Sequence, residues 1–173
     1  MEKIVLGLGS NRNFCGKNSL EILRGACGRL TEFIVSAEIS SVYRTSAMYF
    51  LDQDDFLNMV LTGFFDGSAE LLLQKIHEIE AEFGRDRKTE IRNGPRTLDI
   101  DIEIFGEKKI RTKDLTVPHE RLLERKFVLV PFLEVLKKNA DVNKADVEFY
   151  EGRLSLLTGQ EIALFCPREK FFQ

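Results

Sequence analysis

Asp99 and Asp101 stand two residues apart in the run Gly94-Pro95-Arg96-Thr97-Leu98-Asp99-Ile100-Asp101-Ile102-Glu103-Ile104-Phe105. Leu98, Ile100, Ile102 and Ile104 alternate strictly with Asp99, Asp101 and Glu103, and a period of two predicts a half-buried strand. The aliphatic residues are expected on the core face and all three acids on the other. Two carboxylates side by side on a rigid strand repel each other unless a cation lies between them, and hard oxygen ligands of this kind suit Mg²⁺. Arg96, at the entrance to the strand, adds a phosphate-binding group. Together these residues point to chemistry on a metal-bound polyphosphate. An antiparallel strand with one wet face also alternates acids with isoleucine, so the acid pair alone does not decide the matter.

The preceding segment shifts the balance. Residues 84–97 read GRDRKTEIRNGPRT, with Arg85, Arg87, Lys88, Arg92 and Arg96 against Asp86 and Glu90, in a chain of formal net charge −3. Two glycines and a proline predict a loop. Charge runs are ordinarily solvated faces, but four of these five cations are arginine, whose fork grips phosphate oxygens bidentately. A basic loop feeding an acidic strand suits a Mg–nucleotide substrate: the acids hold the metal and the arginines hold the phosphates.

The elements that position this pair follow from periodicity. Lys3–Leu8 reads as a strand that enters the turn Gly9-Ser10-Asn11. Asn18 or Ser19 can cap a helix carrying Leu20, Ile22, Leu23, Ala26, Cys27 and Leu30. Ile34–Tyr43 and Phe56–Phe65 read as strands, with Thr45–Gln53 a loop between them. Gly67-Ser68 opens a helix with Leu72, Leu73, Ile76, Ile79, Glu80 and Phe83 at helical spacing. The acid strand ends at Phe105, Gly106-Glu107 turns, and a short strand is expected at Lys109–Arg111. Pro118 and Pro131 are expected breaks, and Phe132–Lys138 fits a helix. The order β-α-β-β-α-β predicts an α+β, ferredoxin-like core, a mostly antiparallel sheet with helices packed on it. A weakly patterned C-terminal extension is expected to cover part of the sheet or its second face.

The 173 residues are expected to form one domain, 1–173. A pI near 5.6 argues against a general nucleic-acid binder. No apolar run reaches membrane-spanning length, and the N-terminus lacks a secretory pattern. Three cysteines without Cys-x-x-Cys read as reduced thiols of a cytoplasmic protein, and two histidines exclude a His-rich metal site. Neither a P-loop nor a dinucleotide fingerprint is present, since Gly7-Leu8-Gly9 has no third glycine at the required spacing.

Gly-Pro-Arg-Thr-Leu-Asp-Ile-Asp-Ile at 94–102 resembles the signature of the 6-hydroxymethyl-7,8-dihydropterin pyrophosphokinase family of folate synthesis. Gly9-Ser10-Asn11, Tyr43-Arg44-Thr45, Asp55-Phe56-Leu57-Asn58, Glu80 with Gly84-Arg85-Asp86-Arg87, Leu115-Thr116-Val117-Pro118-His119 and Arg125-Lys126-Phe127 follow the family's order. Asn93 stands where relatives commonly carry Trp. The resemblance implies transfer of pyrophosphate from ATP to the pterin hydroxymethyl group, releasing AMP, by a cytoplasmic monomer without membrane or nucleic-acid partners. It implies that Asp99 and Asp101 hold two Mg²⁺ ions, and that Arg85, Arg87, Arg92 and Arg96 are the catalytic arginines, Arg87 and Arg92 closing over the substrates. It assigns ATP to Glu80, Arg85, Arg96, Ile102, Thr116, His119 and Arg125. It assigns the pterin to Thr45, Phe56, Asn58, Asp99 and Phe127, with the two phenylalanines stacking on the ring. Two other readings stay open from sequence: a catalytically silent relative that binds a pterin or nucleotide, and a ferredoxin-like RNA-binding module.

Overall fold

The computed structural model describes residues 1–46, 53–86, 94–139 and 143–173. In chain order the elements are β1 (Glu2–Ser10), α1 (Ser19–Leu30), β2 (Ile34–Ile39), β3 (Val42–Thr45), β4 (Phe56–Phe65), α2 (Ala69–Glu82), β5 (Asp99–Phe105), β6 (Ile110–Arg111), β7 (Thr116–Val117), α3 (Lys126–Lys138), α4 (Lys144–Ser155) and β8 (Ile162–Cys166). The main sheet runs β5-β1-β4-β3-β8, antiparallel throughout, with β2 also paired to β4. Taken as two halves of one strand, β2 and β3 complete the ferredoxin-like β-α-β-β-α-β order.

Local chemistry sets the helix starts. Asn18 accepts the Glu21 N–H at 3.1 Å, and the Glu21 carboxylate accepts the Asn18 N–H at 2.8 Å, a capping box that opens α1. Ser68 caps α2 by accepting the Leu71 N–H. Both helices lay their apolar stripes on one face of the sheet. Ile4, Leu6 and Leu8 of β1 and Met59 and Leu61 of β4 meet Ile22, Leu23, Leu72 and Ile76 there, all essentially closed to solvent. Each such side chain contributes about 1.5–3 kcal/mol on burial.

The opposite face is divided. Toward one end Val5, Val60 and Ile104 pack under α3, against Val128, Leu129, Phe132 and Leu133. Toward the other end the same rows continue as Gly7 and Gly9 on β1, Asn58 and Phe56 on β4, and Asp101 and Asp99 on β5. Alternation along each strand keeps these residues in register with the apolar end. A face that is apolar under a helix and polar beyond it leaves an open cleft where the helix stops.

Four expectations need correction. The strand expected over Ile34–Tyr43 is interrupted at Ser40-Ser41, because both serine side chains are drawn into hydrogen bonds off the ladder: Ser40 Oγ accepts the Val60 N–H, and the Ser41 hydroxyl donates to Glu134. The alternation of the acid strand fails at its end. A bulge opposite Val5/Leu6 turns Ile104 to the α3 side and Phe105 into the α1/α2 core. Pro131 does not end a helix but lies inside α3, which begins five residues earlier at Lys126. The weakly patterned tail folds into α4 and β8, the latter extending the sheet beside β3.

Candidate active site

The cleft floor is built where small residues let polar ones in. Gly9 faces Asn58 on one side and Asp99 on the other, and Gly7 faces Asp101. A Cβ at Gly9 would come within 3.0 Å of Asn58 Oδ1, and one at Gly7 within 3.0 Å of Glu103 Oε1. Two glycines at alternate positions of β1 thus make room for the groups lining the floor. Thr45, Phe56, Asn58, Arg96, Asp99, Asp101, Glu103, Arg125 and Phe127 all line this cleft.

Asp99 is held between two arginines. Arg85 and Arg96 each place Nη1 in contact with one of its carboxylate oxygens. Arg85 is itself tied to the buried Glu80, which also accepts the Ile100 N–H at 2.9 Å. Glu80 therefore joins the end of α2 to the start of β5 and fixes Arg85 behind Asp99. Burial opposes ionisation of Asp99, but Arg85 and Arg96 outweigh it and hold its pKa below the usual aspartate value. Asp101 has a different neighbour: Arg125 Nη1 lies 2.9 Å from its Oδ2. His119 Nε2 stands 3.8 Å from the same oxygen. The His119 ring is less basic than usual, mainly through burial, while Asp101 pulls the other way.

The pterin-assigned residues cluster at the far wall. Asn58 Nδ2 donates to Thr45 Oγ1 at 2.8 Å, both side chains being buried. Phe56 and Phe127 line the same cleft from β4 and α3. Ile102 turns away into the α1/α2 core, so only its backbone faces β1 and the site side. Thr116 lies on β7, paired with Arg111, outside the cleft lining. Arg87 and Arg92 lie outside the described residues.

Three contributors were given no site role by the sequence reading. Asn11 joins the two loops at the cleft mouth: its Nδ2 donates to Gln53 Oε1 and the Asp54 carbonyl, both at 3.0 Å, and its Oδ1 accepts the Arg96 N–H at 2.7 Å. Gln160 reaches from the tail to the start of α3, accepting the Lys126 N–H and donating to the Glu124 carbonyl. It thereby anchors the turn that carries Arg125 and Phe127. Glu103, noted only as the third acid of the strand, is fully buried beside Asp101. Burial first, then Asp101 and Asp99, raise its pKa to about 8, with Arg125 pulling it down. The available signal was the alternate glycines of Gly7-Leu8-Gly9, which match the alternate acids across the ladder.

Among the described residues no group of three or more His, Cys, Asp or Glu converges as a closed metal cage. The donor set nevertheless fits Mg²⁺, which binds through one or two carboxylates and completes its shell with water and phosphate oxygens.

The sequence profile of the family described as 7,8-dihydro-6-hydroxymethylpterin-pyrophosphokinase matches residues 5–137. The chain belongs to this family. It is 42% identical over 135 residues to the 2-amino-4-hydroxy-6-hydroxymethyldihydropteridine pyrophosphokinase of Aquifex aeolicus, covering 78% of this chain and 81% of that one. The Bacillus subtilis protein of the same name is 39% identical, over 66% of this chain and 70% of its own length. A folate synthesis bifunctional protein of Arabidopsis thaliana is 35% identical across 91% of this chain, which spans only 32% of that longer protein. In structure, the family member resembles Plasmodium falciparum HPPK-DHPS, with a TM-score of 0.62 at 15% identity over 89% of this chain and 43% of that one. That likeness supports the ferredoxin-like fold.

Proposed function

We infer that this protein transfers the pyrophosphoryl group of ATP to the hydroxymethyl group of 6-hydroxymethyl-7,8-dihydropterin, an enzymatic step of folate biosynthesis. The observation that carries the reading is the Asp99–Asp101 pair on the cleft floor, ringed by Arg85, Arg96 and Arg125 and facing Asn58, Thr45 and two phenylalanines. In the reaction the hydroxymethyl oxygen attacks the β-phosphorus, the bond from that phosphorus to the α,β-bridging oxygen breaks, and AMP leaves as the hydroxyl proton is lost.

In this proposal Asp99 and Asp101 hold two Mg²⁺ ions, which when bound neutralise charge on the polyphosphate oxygens. Each carboxylate now contacts arginine. The guanidinium groups are therefore displaced toward the phosphates on substrate binding, so the same cations serve the empty and the occupied site. Arg85 and Arg96 bind phosphate oxygens, and Arg87 and Arg92 close over the substrates. Phosphoryl-type transfer rests on such positioning and charge stabilisation. Glu80 orients Arg85, while His119 and Arg125 complete the nucleotide side; Ile102 would contribute there only through its backbone, and Thr116 only from β7 outside the cleft lining. Asn58 and Thr45 bond the pterin edge, since an amide both donates and accepts, and Phe56 and Phe127 sandwich the ring. A monomeric, single-domain working unit is part of this proposal. Among the described residues no helix is long and apolar enough to cross a membrane; a cytoplasmic location is part of the proposal.

ATP labelled at the β-phosphate distinguishes the possible products. Label appearing in the pterin, with unlabelled AMP released, supports the reading; label retained in ADP overturns it.

A further inference from the structure

Among the described residues, Glu103 is the one acid of the strand left without a hydrogen bond. Its side chain is 1% exposed, and among the described residues neither carboxylate oxygen has a hydrogen-bond partner. Burying an unbonded carboxyl is costly, and an aliphatic side chain would serve packing better at this position. The carboxyl is nevertheless aimed into the cleft, in room left by Gly7.

Its surroundings form a ring of alternating acids and bases. Arg125 Nη1 lies 2.9 Å from Asp101 Oδ2 and 3.9 Å from Glu103 Oε1. His119 Nε2 is 3.8 Å from Asp101 Oδ2, and its Nδ1 is 4.0 Å from Glu103 Oε2. That Nδ1 already accepts the Arg121 N–H at 3.1 Å, so it has no proton to offer Glu103. Of the two basic neighbours, Arg125 is the one that can donate.

A metal ion on Asp101 would sit about 2.1 Å from its oxygen, beside a guanidinium nitrogen only 2.9 Å from the same atom. The two positive charges would repel, which would favour a shift of the Arg125 guanidinium away from that oxygen. Glu103 Oε1, 3.9 Å from that nitrogen, lies about 0.7 Å beyond hydrogen-bond reach. The Phe127 ring, 5.6 Å from Arg125 Cζ, offers a face for the guanidinium to lie on. Among the described residues Arg125 Nε is buried without an acceptor, which leaves a donor for a phosphate oxygen.

We propose that Glu103 is a positioning residue for nucleotide binding: it receives the Arg125 guanidinium when a metal ion takes over Asp101, and keeps that cation aimed at the polyphosphate. This rests on the proposed assignment of Asp101 to the metal and Arg125 to the nucleotide. Without Glu103, the displaced arginine swings toward solvent and its charge is lost to the site.

The test is calorimetric binding of a non-hydrolysable ATP analogue, with Mg²⁺ and with EDTA, alongside unfolding temperatures of the unliganded proteins. Glu103→Leu should unfold at the wild-type temperature or above, bind the Mg-loaded analogue about tenfold more weakly, and change by less than about twofold in EDTA. Glu103→Gln, which keeps an acceptor oxygen, should lose less. Arg125→Met should lose about tenfold, and Glu103→Leu with Arg125→Met no more than Arg125→Met alone, because one interaction is being removed twice. If Glu103→Leu does not fold, Glu103→Gln with and without Arg125→Met reads the same coupling. A lowered unfolding temperature with equal losses in Mg²⁺ and EDTA would assign Glu103 to structure and overturn the proposal. Additive losses of about a hundredfold in the double variant would overturn it too. Asp101→Asn separates the two levels: if binding keeps its Mg²⁺ dependence in that variant, the metal assignment itself fails.

Discussion

Glu134 and Glu103 both sit between the sheet and α3, and the fold treats them in opposite ways. Glu134 accepts the Ser41 N–H, the Ser41 hydroxyl and the Tyr43 hydroxyl, each at 2.9 Å, and Lys138 lies 3.3 Å away. Burial works against its charge, but these donors prevail and hold its pKa below the ordinary glutamate value. The Ser41 hydroxyl also accepts the Arg168 N–H, so this knot ties α3, the β2/β3 break and the C-terminal tail together. Glu103, at the other end of α3, has burial without hydrogen-bond donors among the described residues. A satisfied carboxylate fastens the structure, whereas an unsatisfied one marks a place where the fold has given up stability for a ligand.

The contrast can be broken most forcefully at the metal pair. Asp99→Asn or Asp101→Asn should lower kcat/KM by about 10³-fold or more, with the far-ultraviolet circular dichroism unchanged. Turnover near the wild-type level in either variant would remove that aspartate from the metal site. The Glu134 knot should behave the other way. Glu134→Ala should cost about 2 kcal/mol of stability in urea unfolding, while kcat of the folded fraction stays within about twofold of wild type. A collapse of kcat at unchanged stability would erase the distinction between the two ends of α3.

The pH dependence sharpens it. The Glu134 pKa is depressed in the fold from its usual 4.5. Its contribution is therefore complete above pH 4.5 and lost as pH falls through the lower folded value. The stability gap between wild type and Glu134→Gln should be widest at neutral pH and close in acid; a gap that widens in acid contradicts the sign. The smallest effect is expected at Gln160. Gln160→Ala removes the side chain bonded to Lys126 N and the Glu124 carbonyl, and should cost about 1 kcal/mol. Nucleotide affinity should drop more than pterin affinity if the loosened turn acts through Arg125.

The sequence reached far for the βαββαβ half and less far for the rest. The Phe56–Phe65 strand and the Ser68 cap were legible because period and capping chemistry are local signals. The bulge that reverses Ile104 was not, since it depends on the register with β1, a partner nearly a hundred residues away. Pro131 misled because the fixed proline φ reads as a helix break, while the packing of Phe132 and Leu133 keeps α3 intact across it. At the site, the acids and arginines announced themselves by charge and spacing. Asn11 was visible only as part of the Gly9-Ser10-Asn11 turn and Gln160 not at all, and the role of neither was legible, because each bonds residues distant in the chain. Ile102 shows the limit of a resemblance, which can bring a position to the site while the side chain points into the core.

The most direct measurement is the rate of AMP release from ATP with Mg²⁺ and 6-hydroxymethyl-7,8-dihydropterin, for the wild type and for Asp99→Asn and Asp101→Asn. Pterin-dependent AMP in the wild type, reduced about 10³-fold in both variants, is the predicted result. AMP formed without the pterin, or at equal rates in all three proteins, would contradict the account.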